Sequence, residues 1–497
     1  MISTVLHGGM IVDGWRRAAY TTDIAIVGDR IVLIGDLAER EAVRRVDCRG
    51  KIVAPGFVDT CSHSDDVWLR LPGTPSKIFQ GVTTEIGGMC GRSFPLFGDG
   101  TEWPNRDAAL SFIESQGTAP NVAFFTAGAL HGTSIDTRTA IEAAEEGALG
   151  FSLDLQQTRS GGMDAIVEAT IRNAHESGAG RCALHLPFDA GDALDTLRTA
   201  LAMVREYDVA LHVSHLHVAY PTPRASIHRA LEIIAEARDR GAIVSCDAYP
   251  YVATWDGLAT LLPAVMQQPD GSAFERLADP QLAAVVAMEM QSRWGDRWND
   301  IVLSEVGSER HLAWCGSRVD EIARAWRLSP ARTVLQLLQD EGDAAKAFWF
   351  CLNEDDVAAV YSAPFTTVGS AAPAMRMDAE SVFGYAHPRT FGTFPRIYGR
   401  FVRGRKTLPL EEAVHRMTLL PAHAFGLHQR GEIAVGAYAD VVVFNEQTIR
   451  DTATYERPIS APAGIEHVYV NGTAVLENGR LTNERPGALL RGGTTTK

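Results

Sequence analysis

Cys61 and His63 stand two apart in "GFVDTCSHSDD", residues 56–66. Residues i and i+2 of a strand face the same side, so this thiol and imidazole point together. A thiolate and an imidazole both suit zinc. Asp65 and Asp66 follow at once, where carboxylates can orient metal ligands through hydrogen bonds. Alone, the pair reads equally well as a buried cysteine beside a hydrogen-bonded histidine. Three further positions shift that balance. Cys90 in "GVTTEIGGMCGRS" ends an apolar strand among small residues, which leave room for an ion and a substrate. His185 in "ALHLPFD" and His215 in "LHVSHLHVAY" also stand at strand ends. One thiolate and two imidazoles from three strands leave zinc an open position for water. Water held there titrates at about pH 7 and becomes a nucleophile for hydrolysis. In a regular strand His212 has the opposite parity to His215 and His217, and it reads as packed or solvated. His215 and His217 share a face, which need not make both of them ligands.

The elements that must hold these side chains alternate in type. From about residue 57 to 420, short apolar strands such as "CALHLPF", "ALHVSHL" and "IVSCDAYPY" alternate with amphipathic stretches such as "DALDTLRTALAMVREYD" and "SIHRALEIIAEARDRG". Strand and helix alternating over about 350 residues predict a closed (β/α)8 TIM-like metallohydrolase barrel, with its chemistry at the C-terminal rim of the strands. Residues 1–56 and 421–497 read instead as short strands punctuated by Gly and Asp. The two chain ends therefore combine into one small β-sandwich domain, with the catalytic barrel of 57–420 inserted between them. A mostly helical stretch at about 262–345 interrupts the barrel rhythm. It is expected to cover the barrel mouth, the alternative being helical packing outside it. The tail "RGGTTTK" is expected to be disordered.

Composition narrows the partners. The chain has 497 residues, 46 % of them hydrophobic, and a formal net charge of −15. An acidic chain gains little from a phosphate backbone or an anionic bilayer, which argues against nucleic acid and membrane partners. No apolar run is long enough to span a bilayer, and the N-terminus lacks the basic region and apolar core of a secretory signal. Seven widely spaced cysteines in a long chain suit a reducing cytoplasm better than a disulfide framework. Oligomeric state is not legible.

Ordered motifs carry a resemblance. "VAPGFVDTCSHSDD", "QGVTTEIGGMCG", "GALGFSLDL", "CDAYPYVA", "FWFCLNEDDVAAVYSAPFTTVGS", "HPRTFGTFPR" and "GEIAVGAYADVVVF" resemble, in order and spacing, the N-acyl-D-amino-acid deacylases (D-aminoacylases) of the amidohydrolase superfamily. The resemblance runs over nearly the whole chain and is more specific for family than for substrate. It implies a zinc-dependent amide hydrolase that releases a D-amino acid from a small-molecule N-acyl-D-amino acid. It also implies that Cys90, His185 and His215 hold the tight zinc. The family's His-X-His pair, which serves a weaker second metal, corresponds to Cys61 and His63. Arg389 resembles the residue that grips the substrate carboxylate, a task suited to a bidentate guanidinium. Tyr249 resembles its partner in that grip. The alternative for Arg389 is a salt bridge that closes the barrel.

Two departures stand out beside Cys61. His217 takes the place of a usual lysine, which alters how the carboxylate is held. Ala371, in "TTVGSAAPAM", takes the place of the aspartate that serves as general acid and base. A methyl group cannot move a proton, and a positioned proton carrier typically contributes about 10²–10⁴-fold. The chain as given is therefore expected to be inactive or crippled. An engineered Asp→Ala exchange fits best, because the Cys-His-His set is intact. The alternatives are a natural exchange in which Asp378 or His217 takes the proton, and a natural non-catalytic binder of N-acyl amino acids. A second enzymatic reading keeps the barrel and takes a cyclic amide or another amidated small molecule. Cys90 in place of the carbamylated lysine common in cyclic amidases weighs against it.

Overall fold

A computed structural model describes residues 1–92, 105–130, 133–155, 163–187, 193–219, 222–223, 225–263, 266, 272–378 and 383–493. The final residues of the tail, 494–497, fall outside the described residues. Eight parallel strands make the barrel: β1 (Phe57–Asp59), β2 (Val82–Gly87), β3 (Asn121–Phe124, continued by Thr126–Ala127), β4 (Phe151–Asp154), β5 (Arg181–His185), β6 (Ala210–Val213), β7 (Val244–Ala248) and β8 (Thr366–Val368). Neighbours in this order pair in parallel, with Phe125 interrupting β3. The ring closes where Thr60 Oγ1 donates to Val368 O at 3.1 Å and Ser62 bridges Ala372 in parallel.

The strands are buried along almost their whole length, as strands flanked on both faces must be. The helices between them bury one stripe each. In Ala193–Glu206 the stripe is Leu197, Ala200, Leu201 and Val204; in Ala225–Asp239 it is Ile227, Ala230, Ile233 and Ile234. Asn105 and Asp136 cap the helices Arg106–Gln116 and Thr137–Glu145 by accepting from backbone N–H groups three residues on. Such caps fix where each helix starts, and hence the lengths of the strand-to-helix loops that form the rim.

Both chain ends build the β-sandwich. Five strands from Ile2 to Pro55 join four between Val441 and Leu481, and the seam is Ile52–Pro55 pairing antiparallel with Val441–Phe444. The helix Leu419–Phe425 runs across the boundary expected at 420/421.

The insertion is less helical than its sequence suggests. Helices Pro280–Trp294, Val319–Trp326 and Pro330–Glu341 pack with a three-stranded antiparallel sheet of Thr254–Gly257, Lys346–Trp349 and Ile301–Glu305. Ile301–Glu305 is the strand that the helical reading missed, three apolar residues followed by Ser304 and Glu305, too short for periodicity to identify. The unit has its own core around Trp294, Trp298, Leu335 and Leu338.

One histidine reports on the sandwich. His467 is buried on Ile465–Val470, and burial, with Lys51 adding to it, pushes it down to about 4 from 6.5. Between those values the unfolded chain takes up a proton that the folded chain refuses, so stability falls as pH drops from 6.5 to 4. The thermal midpoint is expected to fall less steeply over that window in His467→Gln than in the parent. Parallel midpoint curves would show that His467 is not a buried neutral group.

Candidate active site

Three segments from the C-terminal rim bring sulfur and nitrogen together. His185 is the last residue of β5, whereas Cys90 and His215 lie just beyond the ends of β2 and β6. Cys90 Sγ is 3.1 Å from His215 Nε2, and the donor atoms of Cys90, His185 and His215 all lie within 4.8 Å of one another. Cys61, His63 and Cys90 form a second set within the same limit. Cys61 and His63 stand beyond the last residue of β1, yet Cys61 Sγ is 3.8 Å from His63 Nε2 and 3.8 Å from Cys90 Sγ. The i, i+2 expectation holds there because Ser62 still pairs as extended chain with Ala372.

The donor set fits a thiophilic cation. His215 Nδ1 is buried without a hydrogen-bond partner among the described residues, whereas His185 Nδ1 faces Asp154 Oδ1 at 3.2 Å. Burial drives His215 and His63 well below the usual histidine range, keeping both imidazoles neutral as ligation requires. Burial acts the same way on His185, but Asp154 outweighs it and raises His185 to about 9. Hydrogen bonding to Cys90, then burial, holds the Cys61 thiol well above the usual range.

A cavity of about 570 Å³ opens over these side chains. Tyr249, His217, Arg389 and Ala371 line it beside the ligand cluster. Arg389 is buried, its guanidinium 4.5 Å from the centroid of the Tyr249 ring and its Nε without a partner. No carboxylate pairs with it among the described residues, so the barrel-closing salt bridge does not form. His217 stacks on His215 with ring centroids 5.5 Å apart. The insertion supplies the opposite wall through Trp255, Leu258, Leu261 and Trp349. Asp378 pairs with Arg376 at 2.7 Å and is not among the described residues that line the cavity.

Sequence reasoning singled out Asp65 and Asp66 but missed the other groups that hold the site still. Asp247 is fully buried on β7; it accepts from the His215 backbone N–H at 2.8 Å and pairs with His212 Nε2 at 2.8 Å. His212 is thus a packed, partnered residue. Asp65 accepts from the backbone N–H of Gly88, two residues before Cys90, while Asp66 stands at the start of the helix Val67–Arg70. Lys77, with no solvent exposure, donates to Asp59 Oδ2 at 2.7 Å, Ser370 Oγ at 2.7 Å and the Ala372 carbonyl at 2.8 Å. Nothing in "PSKIFQG", where Ser76 and Gln80 are polar too, marks Lys77 as buried.

The comparisons agree with this architecture. Residues 364–476 match the model of the Amidohydrolase family. The N-acyl-D-glutamate deacylase of Alcaligenes xylosoxydans xylosoxydans is 32 % identical over 99 % of this chain and 96 % of its own. The structure of N-acyl-D-glutamate deacylase from Bordetella bronchiseptica, complexed with zinc and a phosphonate mimic of the tetrahedral intermediate, superposes with a TM-score of 0.82. It is 28 % identical and covers 99 % of both chains. A D-aminoacylase structure with a binuclear metal centre, activated by one metal and attenuated by a second, gives a TM-score of 0.80. It is 28 % identical, covering 99 % of this chain and all of that one.

Removing the ammonium of Lys77 leaves Asp59 without its cation in a dry interior. Lys77→Met is expected to destabilise the chain by about 3–5 kcal/mol, read as a lowered denaturation midpoint. An unchanged midpoint would mean that this pair is not what holds the loop after β8.

Proposed function

Because the chain belongs to the N-acyl-D-amino-acid deacylase family of the amidohydrolase superfamily, we propose that it cleaves N-acyl-D-amino acids to a carboxylate and a D-amino acid. The observation that carries this reading is one cavity lined by both the Cys90, His185 and His215 cluster and a buried Arg389 that no carboxylate pairs with among the described residues. A hydrolase for a carboxylated amide needs these two features together.

Cys90, His185 and His215 are the residues to hold zinc. The chemistry it supplies when bound is Lewis acidity, which acidifies a water and polarises the amide carbonyl. Arg389 takes the substrate carboxylate, since a desolvated guanidinium without a counter-ion among the described residues is a ready anion site. Tyr249 stacks against that guanidinium and fixes its plane. His217 borders the same cavity from the face of His215. The walls from the insertion keep bulk water from the scissile bond, which strengthens every charge interaction inside.

Position 371 is where a proton carrier is missing. Ala371 has φ +46°, a left-handed conformation that alanine adopts at a cost and aspartate tolerates better. That backbone supports the reading that position 371 suits an aspartate facing the cavity. We read the chain as given as a slow form of the enzyme.

The test compares this chain with Ala371→Asp, both zinc-loaded, for amine release from N-acyl-D- and N-acyl-L-amino acids. The aspartate is expected to raise kcat by about 10²–10⁴-fold for the D series. Equal turnover would show that another group carries the proton, and no turnover by either chain would sink the substrate assignment. In the Ala371→Asp background, Arg389→Lys is expected to raise KM about tenfold or more for substrates with a free carboxylate. The same exchange should leave the corresponding carboxamides almost unaffected. A uniform loss across both sets would remove Arg389 from the carboxylate grip.

A further inference from the structure

Two thiols meet at the wall of this cavity, where the resemblance places only one. Cys61 Sγ and Cys90 Sγ are 3.8 Å apart, although β1 and β2 deliver them from segments 29 residues apart in sequence. Their exposure differs. Cys61 is fully buried and does not line the cavity, whereas Cys90 is partly exposed and does. A small polar oxidant entering the cavity therefore meets Cys90 first and finds Cys61 directly behind it. The remaining five cysteines are also free thiols, but no other pair lies within sulfur contact among the described residues.

We propose that Cys61 and Cys90 form a reversible disulfide in response to peroxides, and that this bond dismantles the site that the same cysteine helps to build. The thiolate of Cys90 attacks the peroxide O–O bond, forming a sulfenic acid and releasing an alcohol, or water when the oxidant is hydrogen peroxide. The thiol of Cys61 then displaces water from that sulfur, losing its proton as the S–S bond forms. Two electrons pass from the two sulfurs to the peroxide, and a thiol reductant returns them. The sulfurs must close from 3.8 Å to about 2.05 Å, a movement on the scale of side-chain rotation. Once in the disulfide, Cys90 has no thiolate to donate, so one ligand in three is lost. An ion already bound to Cys90 occupies the same lone pairs and slows the reaction. The apo chain is therefore the form that is captured.

The effect on zinc rests on the ligand set proposed above; the cross-link does not. The test takes the whole chain, reduces it, strips its metal with a chelator and treats it with hydrogen peroxide. Remaining thiols are alkylated, and peptides are mapped by mass spectrometry before and after dithiothreitol. The expected result is one peptide joining residues 61 and 90, cleaved by dithiothreitol. Zinc uptake should fall from about one equivalent to under a tenth in the oxidised chain and recover on reduction. Zinc present before the peroxide should lower the yield of cross-link severalfold. Cys61→Ser should give no cross-link, and its Cys90 should pass to the sulfinic acid that dithiothreitol does not reverse. The proposal is overturned if both cysteines of the parent chain are recovered as alkylated thiols. It is overturned as well if they pair elsewhere, or if the cross-linked chain still takes up zinc. Failure of the reduced chain to take up zinc would refute the ligand set alone, and the peptide map would still decide the disulfide.

Discussion

A lysine without access to water ties the first and last strands of the barrel to each other. Lys77 has three donors, and all three are used, on Asp59 at the end of β1 and on Ser370 and Ala372 in the loop after β8. Asp59 answers by accepting from the Ser370 N–H and hydroxyl at 2.8 and 2.7 Å. Ser64 and Ser76 extend the hold to the N–H groups of Ala374 and Met375. Glu85 lies 3.9 Å from the ammonium, and burial raises its carboxyl. A buried ion pair stabilises a fold only when its polar atoms are satisfied. Here that satisfaction fixes the loop carrying position 371, which lines the same cavity as Cys90, His185 and His215.

The same device recurs at each strained residue of the site. Cys90, His215 and Ala371 have φ of +56°, +31° and +46°, and none is glycine. Such residues cost about 1–3 kcal/mol each and persist only where the surroundings over-determine them. In each case a buried carboxylate grips a nearby backbone N–H: Asp65 holds Gly88, Asp247 holds His215 itself, and Asp59 holds Ser370. The strain turns each side chain inward at the point where its strand ends. Three carboxylates that perform no chemistry thus aim the three positions that matter most.

This division explains which parts of the site were legible in the sequence. Cys90, His185 and His215 were readable because zinc chemistry restricts residue type and the strand rhythm places them at one rim. Arg389 and Tyr249 were reached only through the family resemblance, since their meeting depends on a helix start and a strand end more than 130 residues apart. Lys77, Asp59 and Asp247 were not singled out, because a buried charge and a surface charge look alike until burial is known. The barrel followed from alternation over a long span. The strand Ile301–Glu305 did not, because five residues carry too few periods to tell strand from helix.

Cys61 shifts the balance between one ion and two. An imidazole at this position would offer a neutral lone pair at any pH above its own titration. A thiol must first lose a proton, and here it would do so 3.8 Å from the sulfur of Cys90 in a dry interior. Two thiolates at that separation repel strongly, which is why Cys90 and burial together hold Cys61 in its protonated form. A protonated thiol is a poor ligand. A second ion must therefore displace that proton as well as share the sulfur of Cys90, a double requirement that a His-X-His pair does not impose. On the ligand set proposed above, the exchange weighs toward a single ion, with Cys61 a protonated thiol beside it.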